Sequence, residues 1–116
     1  VPANADHVLP IRDFNVPGPH QLAAVHTTLL NAFVMALGGK SVYVGCMGGW
    51  GRTGLFLAIM AKAAGIPDPV AYVRANYTEH AVETAQQKAY VDDFDVSTIT
   101  KWLYRKGWKK RFSRFF

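Results

Sequence analysis

Cys46 is the single cysteine of this 116-residue chain, and Arg52 follows it after Met47, Gly48, Gly49, Trp50 and Gly51. An apolar run, Val42-Tyr43-Val44, leads into the cysteine, while Thr53, Gly54 and an alanine-rich apolar stretch follow the arginine. These residue types suit the binding and attack of a phosphate monoester. Such a group carries about two negative charges near neutral pH. Backbone N–H groups lining a concave loop at a helix N-terminus hold a dianion well. Gly48, Gly49, Gly51 and Gly54 would let the main chain wrap it closely. Arg52 adds a planar, permanently charged fork for two phosphate oxygens. The same surroundings lower a thiol pKa from about 8.5 into the range of roughly 3.5–7.5. Cys46 would then be a thiolate nucleophile that divides one hard hydrolysis into two displacements. A lone cysteine can also be a small buried hydrophobe at the end of a core strand. The arginine, the glycines and the strand–loop–helix setting together favour the nucleophile. A nucleotide-binding loop of the Gly-x4-Gly-Lys type would need lysine where Arg52 stands.

The five-residue gap between Cys46 and Arg52, closed by Gly-Arg-Thr-Gly, resembles the phosphate loop of the cysteine-dependent protein tyrosine/dual-specificity phosphatase superfamily. The resemblance implies a phosphomonoester hydrolase acting through a cysteinyl-phosphate intermediate, with residues 47–52 around the phosphate. It also implies that the Thr53 hydroxyl assists departure of the thiolate. Transfer of phosphate to sulfur needs a proton for the departing oxygen, which a carboxylic acid can supply. Pro10-Ile11-Arg12-Asp13-Phe14-Asn15-Val16-Pro17 resembles the family's acid-bearing loop, Trp-Pro-Asp-x-Gly-Val-Pro, and Asp13 lies 33 residues before Cys46. Asp13 is therefore the expected general acid and then base, with Asp6 as the alternative. Arg12 and Ile11 depart from the family's proline and tryptophan. In a cluster of Asp, Asn, Pro and Gly, Asp13 also fits as a simple turn residue. Val82-Glu83-Thr84 followed by Gln86 and Gln87 resembles the family segment whose glutamine orients the attacking water, and Gln87 fits the register best. Thr84 would equally make a helix N-cap, with both glutamines in an ordinary first turn. Arg74, after Tyr72-Val73, is similar to the family arginine that braces the loop from behind. Gly45 stands where most of the family has histidine.

The elements that must position these residues read simply. A strand is expected at residues 8–11, then the acid loop and a helix over 19–37. Leu22, Val25, Leu29, Leu30, Phe33, Val34 and Leu37 form the apolar face of that helix, and Gly38-Gly39 ends it. A strand over 41–45 enters the phosphate loop, and a helix over 53–64 leaves it. Further helices are expected from Pro67-Asp68-Pro69 to about Tyr77, over 84–94 and over 97–106. Strand, helix, strand, helix implies a right-handed crossover. The fold class expected is therefore α/β, a small, mostly parallel central sheet flanked by helices, with the site at the strand carboxyl ends. The resemblance makes this a compact dual-specificity-phosphatase-like fold. Residues 1–96 would form the catalytic domain, and 97–116 a basic aromatic helix or tail on it.

Half of the residues are hydrophobic and 18% are charged, the composition of a globular chain rather than a disordered one. One cysteine excludes an internal disulfide and suits the cytoplasm, and neither a signal peptide nor a membrane span is expected. His7, His20, His26 and His80 lack metal-ligand spacing, so neither metal nor other cofactor is expected. The net charge of +5 is concentrated at the end. Residues 101–116 hold seven cations (Lys101, Arg105, Lys106, Lys109, Lys110, Arg111 and Arg114) and no acid, interleaved with six aromatic residues. That pattern fits a final helix with solvated cations, or contact with nucleic acid or an anionic membrane surface. The loop lacks the lysines of phosphoinositide-specific relatives. Phosphotyrosine in a protein is the preferred substrate, since a phenoxide leaves easily. An RNA 5′-triphosphatase of the same fold and a phosphate-binding module with little turnover are the alternatives.

Overall fold

The computed structural model describes residues 11, 15–46 and 51–107. Within them the chain forms five α-helices: α1 Leu22–Leu37, α2 Gly51–Ala63, α3 Pro69–Asn76, α4 Ala85–Asp93 and α5 Ser97–Arg105. A single 3₁₀ turn, Pro19–Gln21, precedes α1. There the Gln21 side chain accepts the Gly18 N–H at 2.8 Å.

Each helix stops or starts where local chemistry says it must. After α1, Gly39 takes φ +83° and lets Lys40 N–H reach back to the Met35 carbonyl at 3.0 Å. Gly65, at φ +98°, ends α2 in the same way, with Ile66 N–H on the Ala61 carbonyl. Asp68 caps α3 by accepting the Ala71 N–H, and Pro69 occupies the first turn, where no N–H is needed. Thr84 and Gln87 form a reciprocal capping box at the start of α4.

The central element is α2, which packs against α3, α4 and α5. Its residues are buried on nearly every side, from Gly51 and Thr53 through Leu55, Ala58 and Ile59 to Ala63, as expected of a helix that is apolar all round. Two polar ties fix its far end. Lys62 Nζ donates to the carbonyls of Val91, Asp92 and Phe94 at the end of α4, a favourable place for a cation. Thr100 Oγ1 of α5 donates to the Ala63 carbonyl at 2.7 Å. Through Ile99 and Leu103, α5 joins the same core. No helix among the described residues is long and apolar enough to cross a membrane.

Two expectations need correction. The described residues contain no strand or sheet, so the small parallel central sheet is not what positions the site. Residues 41–46 form neither helix nor strand. An apolar, β-branched run fits a pleated surface only when a partner strand supplies the other half of its hydrogen bonds, and residues 8–10 of the expected partner lie outside the described residues. The second correction concerns α1. Its buried stripe is Val25, Leu29, Ala32 and Phe33, whereas Leu22 and Val34 are exposed. At 100° per residue Val34 falls opposite Val25, and Leu22 sits at the open end of the helix.

Candidate active site

The irregular segment 41–46 ends with Cys46 at the head of α2. Thr53, in the first turn of α2 and only 2% exposed, donates its hydroxyl to Cys46 Sγ at 3.0 Å. The thiol itself is half-buried. A thiolate in this place would be favoured by the positive end of the α2 dipole and by the hydroxyl. Arg52 precedes Thr53 in the same turn, and its Nη1 donates to the Ile11 carbonyl at 3.0 Å.

Gln87 is fully buried and enters from α4. Its Oε1 accepts the N–H groups of Glu83 at 2.8 Å and Thr84 at 3.3 Å, and its Nε2 donates to the Asn15 carbonyl at 3.1 Å. Arg52 and Gln87 thus grip the chain at Ile11 and Asn15, on either side of residues 12–14. Asp13 itself lies outside the described residues, as do Asp6, Met47, Gly48, Gly49 and Trp50. Gln86, the neighbouring alternative, is exposed.

Between α3 and α4 the turn 81–84 presses against α2. Val82 adopts φ +59°, a rare conformation for a β-branched residue. Arg74 holds this turn, donating from Nε to the Ala81 carbonyl at 3.0 Å and from Nη2 to the Val82 carbonyl at 2.9 Å. Two of the loop glycines find their reason here rather than in wrapping an anion. A Cβ on Gly54 would stand 2.6 Å from Ala81 Cβ and 2.9 Å from Val82 N, so glycine is what lets α2 approach the turn. A Cβ on Gly51 would collide with the Glu83 carboxylate, which sits near the α2 N-terminus where an anion is favoured.

Among the described residues, His26 and His80 lie in other surroundings. The His26 ring packs on Phe94 with centroids 5.0 Å apart, and His80 is exposed beside Glu79. Ahead of the cysteine, Gly45 is overlain by the Tyr43 ring, whose Cε1 is 2.8 Å from an ideal Cβ position there.

One residue near the thiol was not singled out in the sequence. Tyr77, the residue that closes α3, lies within electrostatic reach of Thr53, Cys46 and Tyr43. Burial, then the negative charge available at Cys46 and Tyr43, pushes its phenol above the usual range, and Thr53 opposes this. Its place three residues after Arg74, on the same side of α3, is the only sequence signal that could have marked it.

A helix-head hydroxyl is thus donated to a lone thiol, with an arginine in the same helical turn, the arrangement a cysteine-dependent phosphate site would need. In agreement, the protein-family profile described as "Swiss Army Knife protein, DSP-PTPase phosphatase domain" matches residues 2–97. The chain belongs to this family of the dual-specificity phosphatase superfamily. It is also similar to two uncharacterized proteins of Methanocaldococcus jannaschii. One is 38% identical over 88 residues, covering 74% of this chain and 56% of the relative. The other is 37% identical over 86 residues, covering 74% of this chain and 52% of the relative. The chain therefore spans about half the length of these relatives. No solved structure matches it at a significant level.

Proposed function

We propose that the chain is a phosphomonoester hydrolase of the protein tyrosine or dual-specificity type, with phosphotyrosine in a protein as the preferred substrate. The observation that carries this reading is the 3.0 Å hydrogen bond from Thr53 to Cys46 Sγ at the head of α2. A hydroxyl donated to sulfur serves a thiolate, and a purely structural cysteine needs no such donor.

In the first step the Cys46 thiolate attacks phosphorus. The S–P bond forms as the bond to the phenolic oxygen breaks, and Asp13 gives that oxygen its proton. In the second step water attacks phosphorus, Asp13 takes the water's proton and the S–P bond breaks. Thr53 then stabilises the departing thiolate. Arg52 binds the equatorial oxygens in both steps. Its guanidinium has five N–H donors, so gripping phosphate is compatible with the bond to Ile11. Gln87 acts through its amide contact to Asn15, two residues beyond Asp13, and so sets where the acid-bearing segment lies. Tail contacts with nucleic acid or a membrane remain separate from this chemistry.

The test is hydrolysis of an aryl phosphate without added metal, from pH 5 to 8, with Cys46→Ser and Asp13→Asn alongside. Turnover abolished by the first change, and reduced with loss of the alkaline limb set by the acid's proton in the second, is the expected result. An inactive parent that still binds vanadate would instead mark a phosphate-binding module.

A further inference from the structure

Helix α5 turns its apolar side inward and a set of cations outward. Ile99 and Leu103 are buried in the core, and at 100° per residue Lys101, Tyr104 and Arg105 fall on the opposite side. All three are exposed, as is Lys106 in the cap position that follows. None of the three cations meets a carboxylate among the described residues. Lys106 Nζ instead lies over the Trp102 ring, 5.9 Å from its centroid. The charge of the chain is one-sided in the same sense. Residues 1–100 carry six Lys or Arg and eight Asp or Glu, whereas 101–116 carry seven Lys or Arg and no acid. Three of the seven stand on α5 or its cap, and four follow Gly107 in the sequence. Arg105 and Lys106 complement the negative end of the helix dipole, but Lys101, in the middle of the helix, has no such role. Crowded like charge repels itself in a compact fold, and a polyanion relieves that repulsion.

We propose that the outward face of α5, formed by Lys101, Tyr104, Arg105 and Lys106, is a docking surface for single-stranded nucleic acid, with the cations on backbone phosphates and the Tyr104 ring against a base. The inference goes beyond the phosphatase reading and does not rest on it.

Two observations favour this partner over a bilayer. A helix that lies on a membrane puts its apolar face into the headgroup boundary, and the apolar face of α5 is already in the protein core. What remains outside is cationic and aromatic. Tyr104 is 59% exposed, and a ring set among cations is how proteins without sequence preference hold the bases of a single strand. A third observation separates the surface from the phosphate site. Thr100 ties α5 to the Ala63 carbonyl, whereas the hydroxyl on Cys46 Sγ belongs to Thr53. Those two points on α2 lie roughly 15 Å apart along the helix axis. The surface is therefore anchored at the end of α2 away from the thiol, where a docked strand is a tether rather than a substrate.

The test is binding of a fluorescent oligothymidylate of about 20 nucleotides to the full chain, followed by anisotropy from about 50 to 300 mM KCl. Each phosphate neutralised on a single strand contributes a slope of about −0.7 to log K against log salt. Changing Lys101→Gln, Arg105→Gln and Lys106→Gln together should therefore flatten the slope by about 2, with the melting temperature and any aryl phosphate turnover left at the parent's values. Tyr104→Ala should weaken binding about 5- to 10-fold and keep the slope. Saturating vanadate should leave the oligonucleotide bound. An unchanged slope in the triple variant would overturn the inference, and so would displacement by vanadate, which would put the strand at Cys46. Absence of binding at the lowest salt would overturn it as well, including the case in which the chain binds phosphatidylserine vesicles and the partner is a membrane. Equal affinity for single strand and duplex, with Tyr104→Ala neutral, would reduce the surface to a plain polyanion site and refute the single-strand assignment. Should the triple variant unfold, Lys101→Gln alone decides the matter, by flattening the slope by about 0.7 or leaving it unmoved. None of these outcomes depends on whether the chain hydrolyses a phosphate ester.

Discussion

Gly54→Ala tests how closely α2 lies against the 81–84 turn. On helix propensity alone the change favours folding by about 1 kcal/mol. Against that, an ideal Cβ at this position stands 2.6 Å from Ala81 Cβ, 2.8 Å from Ala81 Cα and 2.9 Å from Val82 N. Two of those three atoms are backbone, so no side chain can rotate out of the way. The turn cannot easily retreat either, since Arg74 holds the carbonyls of Ala81 and Val82 and Val82 already sits at φ +59°. Overpacking of a dense interior costs about 1–3 kcal/mol, and backbone that must move places this case in the upper half of that range. The net expectation is a loss of about 1–2 kcal/mol, or a melting temperature lower by roughly 4–10 °C for a domain of this size. Urea and thermal unfolding followed by circular dichroism would measure it. In an Ala81→Gly background the 2.6 Å contact is gone and the other two remain, so Gly54→Ala should cost less there by about 0.5–1 kcal/mol. A Gly54→Ala protein as stable as its parent or more so would refute the argument, because the overpacking cost would then be no larger than the propensity gain.

Gln87→Leu removes the side-chain partners of the Glu83 and Thr84 N–H groups and of the Asn15 carbonyl. Each buried polar group left unpaired costs about 1–3 kcal/mol. Partial access of water to the exposed Glu83 brings the expected total to about 2–4 kcal/mol in urea, and an unaltered unfolding midpoint would contradict the contacts. At alkaline pH, Tyr77 and Tyr90 hold their protons more tightly in the folded protein than in the unfolded chain, chiefly through burial. Their contribution to stability is complete below the ordinary phenol value of about 10 and is lost as pH rises through the folded values. The urea midpoint should therefore fall above pH 10, less steeply in Tyr90→Phe, and a midpoint flat up to pH 11 in the parent would exclude this.

The helices were legible because their punctuation is local. Gly38-Gly39 and Gly65 stop α1 and α2, while Asp68-Pro69 and Thr84 start α3 and α4. Each rests on the conformational or hydrogen-bonding needs of one or two residues. Cys46, Arg52 and Thr53 were legible too, since one short segment carries all three. What required the folded chain was every relation between distant segments. The 41–45 run has the composition of a strand, but composition cannot supply a pairing partner. Gly51 and Gly54 read as anion-wrapping glycines, and their more immediate constraint is the side chain and backbone of residues 81–83. Gln87 was identified, yet its partner Asn15 is 72 residues away. Tyr77 carries no motif, and only the packing of α3 on α2 brings it within electrostatic reach of Thr53.

The four residues 81–84 bear on every part of the site. Ala81 and Val82 touch Gly54, Glu83 lies on Gly51, and Thr84 shares with Gln87 the cap from which Gln87 reaches Asn15. Arg74 locks the turn from α3, one helical turn before Tyr77. The unfavourable backbone of Val82 costs of order 1–3 kcal/mol, and it persists because these contacts surround it. Relaxing it would free Glu83 and Gln87 together, and with them one of the two ties around Asp13. The side chains proposed to carry the chemistry would thus depend on a turn outside it, because the Gln87 contact to Asn15 is held in place by the Gln87 bonds to Glu83 and Thr84.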